Sequence, residues 1–83
     1  MYYTYVLYSK QYNKIYIGYT SDVEKRLASH NDSRNTGWTK KYQPWQIGYT
    51  ETFENKAHAM NRERELKTAR GRKFIWDEVV HHQ

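Results

Sequence analysis

Short blocks of hydrophobic residues, separated by polar stretches, predict the strands and helices of this chain. Segments 2–8 and 15–20 are rich in tyrosine and β-branched residues and flank a polar stretch, which predicts an antiparallel hairpin. Ser21 and Glu24 have the spacing of a capping box, in which a hydroxyl and a carboxylate satisfy free amides at a helix start. We therefore expect a first helix from residue 22 towards residue 31.

The middle of the chain has the pattern of a loop followed by a third strand. Residues 32–43 hold Ser, Asn, Thr, Gly and basic residues, which is typical of a surface loop. Ile47, Tyr49 and Phe53 fall on one alternating face, which predicts a strand over residues 46–53.

Two helices are predicted in the last third of the chain. Asn55 is positioned to cap a longer helix that runs to about Ala69 and is ended by Gly71. Residues 74–80 predict a short terminal helix with an apolar face. The order hairpin, helix, strand, helix, helix predicts an α+β fold, in which helices pack against a small antiparallel sheet. At 83 residues, we expect one domain spanning 1–83.

Aromatic residues change the picture of the core. Hydrophobic residues make up 37% of the chain and aromatic residues 17%, so rings with polar tips must supply much of the buried area. Nine tyrosines are more than a core of this size can hide. Some of them are therefore expected to line a surface or a site.

Charge and cysteine content narrow the function classes. Fourteen Lys and Arg against nine Asp and Glu give a net charge of +5, which favours polyanionic partners. A basic surface without such a partner is the alternative, and charge alone does not decide between them. The absence of cysteine excludes disulfides and Cys zinc sites. The apolar runs are too short to cross a bilayer and the N-terminus lacks signal-peptide features, so we expect a cytoplasmic protein without a membrane partner.

One carboxylate stands out on the second predicted helix. At helical spacing, Glu63 lies near the centre of a largely apolar face that also contains Ala59, Met60, Leu66 and Lys67. An ionised carboxylate among apolar neighbours is costly unless it is paired or binds a metal. A core salt bridge, for example to Arg26, or a bend that lets Glu63 reach water are the alternatives. Glu54 and Glu65 fall on solvent-facing positions.

Several short motifs together resemble the GIY-YIG nuclease family, in its small free-standing form. They are Tyr3-Thr4-Tyr5, Tyr16-Ile17-Gly18, Arg26 with His30 one turn later, and Glu63-Arg64-Glu65-Leu66-Lys67. The resemblance extends from Tyr2 to about Val80. It implies three antiparallel strands flanked by helices, and a metal-dependent endonuclease that acts on DNA or on RNA.

The resemblance also implies a role for each motif residue. Glu63 would bind one Mg²⁺ or Mn²⁺ ion, and Arg26 would stabilise the phosphate. Tyr5, Tyr16 and His30 would share water activation and proton transfer, and which tyrosine acts as the base is left open. A phenol with a pKa near 10 is a poor base at neutral pH unless a cation lowers its pKa. Gly18 would allow the backbone or the substrate to approach closely, although a strand glycine also marks bulges.

Three departures from the family pattern keep other functions open. The first motif lacks its leading glycine, Tyr19 stands where some relatives have a lysine, and Ile75 stands where several have an asparagine. Asn31 or a loop residue is the only replacement that the sequence offers for that asparagine. A nucleic-acid-binding module without turnover is therefore the alternative, and a protein-interaction adaptor is a third.

Two basic clusters are expected to contact nucleic acid. Lys and Arg side chains bind phosphates, and the neighbouring rings of Trp38 and Tyr42 offer surfaces on which unpaired bases stack. A solvated charged surface is the alternative for both clusters, and Trp45 is expected in the core. A homodimer or a partner protein would supply specificity. The cationic residues singled out are Arg34, Lys40 and Lys41 in the first cluster, and Arg62, Lys67 and Arg70 in the second.

Overall fold

Three antiparallel strands form the sheet of this protein. The computed structural model describes residues 1–82, and for residue 82 it describes the backbone only. Strands β1 (Tyr2–Ser9), β2 (Lys14–Thr20) and β3 (Gln46–Phe53) form a sheet in the order β2-β1-β3. Both pairings are antiparallel, so β1 is central and β2 and β3 are the outer strands.

Three helices accompany the sheet, and the predicted α+β fold is confirmed. They are α1 (Val23–His30), α2 (Lys56–Leu66) and α3 (Ala69–Phe74). A short 3₁₀ helix, Trp38–Tyr42, lies between α1 and β3. None of the helices in the described part of the chain is both long and apolar enough to cross a membrane.

Apolar side chains are buried on both faces of the sheet because successive strand residues point to opposite sides. Val6, Ile15 and Ile17 belong to one cluster with residues of α2 and of the C-terminal segment, among them Leu66 and Ile75. Tyr5, Leu7 and Trp45 form the second cluster, against which Tyr16 and α1 residues Val23 and Leu27 pack. The prediction that Trp45 lies in the core is confirmed.

The start of α1 corrects the predicted capping box. Asp22 caps the helix, because its carboxylate accepts a hydrogen bond from the Lys25 amide at 3.0 Å. The Asp22 amide in turn donates to the Thr20 hydroxyl at 3.1 Å. The pairing of Ser21 with Glu24 was therefore wrong, although the predicted bounds of the helix agree with the observed ones.

The predicted loop 32–43 is partly helical. It contains the 3₁₀ helix, in which Thr39 is buried. The Thr39 carbonyl accepts a hydrogen bond from the Trp45 indole nitrogen at 2.8 Å, and its hydroxyl is 3.1 Å from His30 Nδ1. These long-range contacts hold a segment whose composition is that of a loop.

The end of α2 also differs from the prediction. Asn55 caps α2 as expected, accepting from the His58 amide at 2.9 Å, but the helix ends at Leu66 rather than near Ala69. Thr68 caps a new helix, α3, by accepting from the Gly71 amide at 3.1 Å. Gly71 therefore lies inside a helix and does not end α2.

Close packing explains why residue 71 is a glycine. A Cβ atom at Gly71 would lie 2.2 Å from the carbonyl oxygen of Glu65 and 2.5 Å from the Cα of Leu66. The missing side chain thus lets α3 approach the last turn of α2.

Beyond α3, one wider turn of π geometry (Ile75–Val79) and a final 3₁₀ turn (Val80–His82) complete the described chain. The apolar face that the sequence predicts for this segment is buried through Ile75, Val79 and Val80.

Candidate active site

A cavity of about 370 Å³ gathers most of the residues for which the sequence predicts chemistry. Tyr5, Tyr16 and Gly18 line it from the first two strands, Arg26 lines it from α1, and Glu63 lines it from α2. Tyr5 and Glu63 are 58 positions apart in the chain. They meet in this cavity because α1 and α2 both pack against the sheet. Its remaining lining residues are Tyr2, Tyr19, Thr20, Ser21 and Lys56.

The phenol of Tyr5 occupies the space that Gly18 leaves open. The two residues are directly opposite each other in the β1–β2 ladder. A Cβ atom at Gly18 would lie 2.5 Å from the Tyr5 hydroxyl oxygen and 2.7 Å from Cζ. The motif glycine thus admits the ring of Tyr5. Gly18 also lines the cavity, so the predicted close approach of a substrate stays a prediction.

Gly18→Ala should move the Tyr5 phenol and reduce any cleavage by at least about tenfold, because small displacements of positioned groups are costly for catalysis. The overpacked ring should also destabilise the fold by about 1–3 kcal/mol. Cleavage rates and denaturant melts measure the two effects. Gly37→Ala is the matched control, since a Cβ there meets only Asn35 Oδ1 at 3.4 Å. Equal activity in the two variants would contradict this role of Gly18.

His30 lies behind Tyr5 and is buried. Its Nε2 is 3.5 Å from the Tyr5 hydroxyl, and its ring centroid is 4.6 Å from that of Tyr16. His30 is not among the residues that line the cavity. It therefore touches the two tyrosines of the motifs and reaches the cavity through them.

The Thr39 hydroxyl connects His30 to a hydrogen-bond network. Asn35 Oδ1 accepts from the Gly37 amide at 2.9 Å, so the Asn35 amide nitrogen donates to Thr39 Oγ1 at 2.6 Å. Thr39 keeps its hydrogen and a second lone pair for His30 Nδ1, so this bond fits either tautomer of His30. In the tautomer with the hydrogen on Nε2, that hydrogen faces the Tyr5 oxygen and the Tyr5 O–H is directed away from His30.

The same surroundings shift two pKa values. Burial raises the pKa of Tyr5 to about 12, with a further increase from Tyr16, while Arg26 opposes the shift and Glu63 adds to it. Burial also lowers the pKa of His30 from its usual 6.5, and the Arg26 guanidinium lowers it further. At neutral pH Tyr5 is therefore a phenol and His30 a neutral imidazole.

His30 should make the fold less stable at acid pH. Because its pKa in the folded chain is below 6.5, the unfolded chain gains a proton first as the pH falls. The stabilising contribution of neutral His30 is complete above pH 6.5 and is lost as the pH falls through the lowered folded-state pKa. His30→Gln should flatten this part of the stability curve, measured by denaturant midpoints between about pH 8 and pH 5.

His58→Gln is the matched control, because it replaces an exposed histidine of α2 and leaves His30 and its contacts unchanged. An unchanged curve in His30→Gln would show that another group causes the loss of stability.

Glu63 lies in the C-terminal part of α2 and is only partly buried. Its side chain is 19% exposed, and the residues of its face that are fully buried are Ala59 and Leu66. The Lys67 Nζ lies 3.6 Å from Glu63 Oε2, one turn further along the helix. Its partner is thus a half-exposed surface lysine, whereas the predicted alternative was a core salt bridge to Arg26. Such surface pairs contribute only about 0–1 kcal/mol.

The donor set of the cavity fits a single hard cation. Within the described chain, no group of three or more His, Cys, Asp and Glu residues is arranged to hold a metal ion. The Glu63 carboxylate offers oxygen ligands beside a cavity of about 370 Å³, which leaves space for water and phosphate oxygens as further ligands. Mg²⁺ suits this arrangement because it retains several of its waters.

Lys56 is a cavity residue that sequence reasoning missed. It lies at the start of α2, seven residues before Glu63, and both line the cavity. That spacing corresponds to two helical turns, so the sequence contained the signal. Lys56 brings a cation to the cavity in which Tyr19 occupies the position where some relatives have a lysine.

The predicted replacement Asn31 does not line the cavity, and neither does Ile75, which stands at the position of the missing asparagine. Ile75 is fully buried in the core. The side chain of Asn31 binds the backbone of Trp45 in both directions, at 2.7 Å and 2.9 Å. Asn31 therefore holds the segment before β3 against the end of α1.

The predicted nucleic-acid-binding residues fall into different surroundings. Arg34 forms an ion pair with Asp32 at 2.7 Å, and hydrogen bonds from Arg34 lower the pKa of that carboxyl to about 2. Lys40 donates to the Ser33 carbonyl at 2.8 Å. Lys41 and Arg70 are exposed, and Lys67 borders the candidate site through Glu63.

Arg62 is placed differently from what the prediction supposed. Its guanidinium binds Glu51 of β3 at 2.8 Å and Glu65 at 3.0 Å, and it lies over the ring of Phe74. Two carboxylates accept hydrogen bonds from its Nε and Nη1. Arg62 therefore connects α2 to β3, and its contact with nucleic acid stays a prediction.

Comparison with known proteins agrees with this geometry. Residues 1–75 match the family model described as the GIY-YIG catalytic domain. The chain belongs to the GIY-YIG family of nuclease domains.

The chain is also similar to proteins named UPF0213. The chain is 42% identical over 66 residues to one from Staphylococcus haemolyticus, with 80% of this chain and 79% of the relative covered. It is 36% identical over 80 residues to one from Natronomonas pharaonis, with 93% of each chain covered. The solution NMR structure of the UPF0213 protein BH0048 from Bacillus halodurans is 31% identical, with a TM-score of 0.52, and the match covers 90% of this chain and 82% of that one.

Proposed function

We propose that this protein is a metal-dependent endonuclease that hydrolyses phosphodiester bonds in DNA, with RNA as the second substrate to test. The observation that carries the proposal is the convergence of Tyr5, Tyr16, Arg26 and Glu63 on one cavity. A guanidinium, two phenols and a carboxylate are chemically suited to hold a phosphate, a water and a cation. Membership in a nuclease family supports the same assignment.

The two cations of the cavity would hold the scissile phosphate. Arg26 on α1 and Lys56 on α2 line the cavity from different elements. A guanidinium binds two phosphate oxygens at once, whereas an ammonium acts as a compact point charge. Both stabilise negative charge as it increases on the phosphate oxygens during attack.

Glu63 would hold one Mg²⁺ or Mn²⁺ ion in the cavity. The ion would neutralise charge on the phosphate and assist departure of the leaving oxygen. Lys67 lies 3.6 Å from the carboxylate and compensates its charge until a cation replaces it. A single carboxylate supports one ion rather than two.

The two phenols would have different roles, one at the phosphate and one at the attacking water. Tyr5, with a pKa raised to about 12, remains protonated at neutral pH and donates a hydrogen bond to the phosphate. With its hydrogen on Nε2, His30, held by Thr39, would fix the hydroxyl in that orientation. Tyr16 would then orient the attacking water and, ionised beside the cation that Glu63 would hold, accept the proton of the water as a phenolate. Its own proton would first pass to solvent.

A non-catalytic nucleic-acid-binding module is the second candidate, and one observation favours it. Ile75, at the position where several family members have an asparagine, is buried and brings no polar group to the cavity. In that case the basic residues would bind nucleic acid without turnover. For the endonuclease, we further propose that a homodimer or a partner protein supplies specificity and that the protein is cytoplasmic.

A cleavage panel separates these functions. The purified protein is incubated with single-stranded, duplex and branched DNA and with RNA, in Mg²⁺, Mn²⁺ or EDTA. The proposal predicts products in at least one substrate that appear with Mg²⁺ or Mn²⁺ and disappear in EDTA. Salt-sensitive binding to all substrates without products under any ion would instead establish the binding module.

A further inference from the structure

A second cavity, of about 280 Å³, lies next to the candidate active site. Three consecutive residues of β2 form one wall, Trp38 forms another, and the C-terminal parts of the helical layer close it. Its lining residues are Ile15, Tyr16, Ile17, Trp38, Lys67 and Arg72. We refer to it below as the β2-edge cavity.

The β2-edge cavity and the candidate active site are neighbours along the same strand. β2 is an outer strand, and residues of both its faces line the cavity, so the cavity follows the outer edge of the strand. Tyr16 lines both cavities. Lys67 lines the β2-edge cavity while its ammonium lies 3.6 Å from Glu63 in the other. A ligand in one cavity is therefore adjacent to a ligand in the other.

Trp38 gives the β2-edge cavity an exposed aromatic surface. It is 48% exposed, although it is a large apolar side chain. Its ring centroid is 4.8 Å from that of Tyr42 and 5.9 Å from that of the buried Trp45. These contacts hold the indole in place before any ligand binds, which reduces the entropy lost on binding.

Two cations line the same cavity as the indole. Lys67 and Arg72 both line the cavity, and the Arg72 Nε donates to the Lys67 carbonyl at 3.2 Å. An aromatic surface combined with cations is the arrangement by which proteins bind unpaired nucleotides, since every base offers a face for stacking and every phosphate a charge. An uncharged peptide strand added to the edge of β2 would gain nothing from these cations.

We infer that the β2-edge cavity binds an unpaired base of the strand whose phosphate occupies the candidate active site, with the base stacked on Trp38. The inference rests on the proposed function for the position of that phosphate. Within a duplex both faces of a base are covered by its neighbours, so the base must leave the stack to reach the indole. The site therefore favours single-stranded or locally unpaired nucleic acid over continuous duplex.

Binding measurements on Trp38 variants test the inference. Trp38→Ala, Trp38→Phe and the control Tyr12→Ala are titrated against a labelled single-stranded DNA oligonucleotide and its duplex, without divalent ions. Tyr12 is also an exposed aromatic residue, and it packs on Tyr42 but does not line the cavity. Circular dichroism melts establish that each variant is folded.

The inference predicts that Trp38→Ala weakens single-strand binding by about 5- to 100-fold, the range expected for one stacked base, and duplex binding by less than about twofold. Trp38→Phe should retain most of the affinity, and Tyr12→Ala should behave as the wild type. Equal losses for single strand and duplex, or no loss in Trp38→Ala, would overturn the inference.

The outcome is separable from that of the proposed function. Trp38-dependent single-strand binding by a protein that cleaves nothing would remove the endonuclease and retain the base site. Cleavage by a protein whose Trp38→Ala variant binds normally would remove the base site and retain the endonuclease.

Discussion

We expect Glu63→Gln to abolish the proposed cleavage while leaving the fold and nucleic-acid binding intact. The substitution preserves the shape of the side chain but removes the charge that would hold the cation. A metal ion contributes several kcal/mol to charge stabilisation in such reactions, so we expect a loss of about a thousandfold or more in the single-turnover rate. The unfolding free energy should change by no more than about 1 kcal/mol, because Glu63 forms an ion pair with half-exposed Lys67, and such pairs contribute little.

Binding of nucleic acid by Glu63→Gln should be as tight as in the wild type, or tighter, when no divalent ion is present. The variant removes a negative charge beside the phosphate and releases Lys67 from its contact at 3.6 Å. Glu65→Gln is the matched control on the same helix, since Glu65 is exposed and pairs with Arg62 away from the cavity. Comparable cleavage by Glu63→Gln and Glu65→Gln would remove Glu63 from the chemistry.

Gly71→Ala should destabilise the fold by about 2 kcal/mol. Alanine in place of glycine stabilises a helix interior by about 1 kcal/mol. A Cβ at residue 71, however, would lie 2.2 Å from the Glu65 carbonyl oxygen and 2.7 Å from the Leu66 carbonyl carbon, both backbone atoms that have no rotamer to change. Overpacking of this kind costs about 3 kcal/mol at the upper end of its usual range, so the clash exceeds the gain.

Urea or thermal unfolding of Gly71→Ala measures this loss. Gly37→Ala is the control here as well, because ordinary contacts surround that position and its φ of −81° suits any residue. A stabilised Gly71→Ala variant would show that α3 can shift away from α2 without penalty, in conflict with the close packing described above.

Much of the fold followed from local sequence patterns. Asn55 was identified as a cap because its side chain acts within a few residues, and the three strands were located by alternation. The end of α2 was missed for the opposite reason. Glycine is typical both of helix ends and of close helix contacts, and only the position of Glu65 against Gly71 distinguishes the two roles.

In the candidate site, the sequence predicted the motif residues but not the contacts that support them. Motif resemblance brought forward Tyr5, Tyr16, Arg26 and Glu63, and these residues line one cavity. The supporting hydrogen bonds of His30 to Thr39, and of Thr39 to Asn35, join the end of α1 to a segment that composition marked as a loop. Neither contact has a periodic pattern in the sequence, so only the tertiary structure reveals it.

Arg62 shows what charge counting alone omits. Its cationic neighbours in the chain suggested a nucleic-acid surface, but two of its guanidinium nitrogens bind Glu51 and Glu65. Glu51 belongs to β3, eleven residues earlier, and its proximity to α2 depends on how the helix crosses the sheet. Lys56 and Lys67, in contrast, adjoin the cavity because they share a helical stripe with Glu63.

Paramagnetic relaxation by Mn²⁺ gives the most direct test of the central claim, that one cation and one phosphate meet in the cavity of Tyr5, Tyr16, Arg26 and Glu63. Amide signals of the labelled protein are followed by NMR as Mn²⁺ is added to a complex with a phosphorothioate oligonucleotide that resists hydrolysis. The account predicts broadening centred on Gly18 and Glu63 in the wild type and its loss in Glu63→Gln. Broadening centred elsewhere, or broadening that persists unchanged in Glu63→Gln, would contradict it.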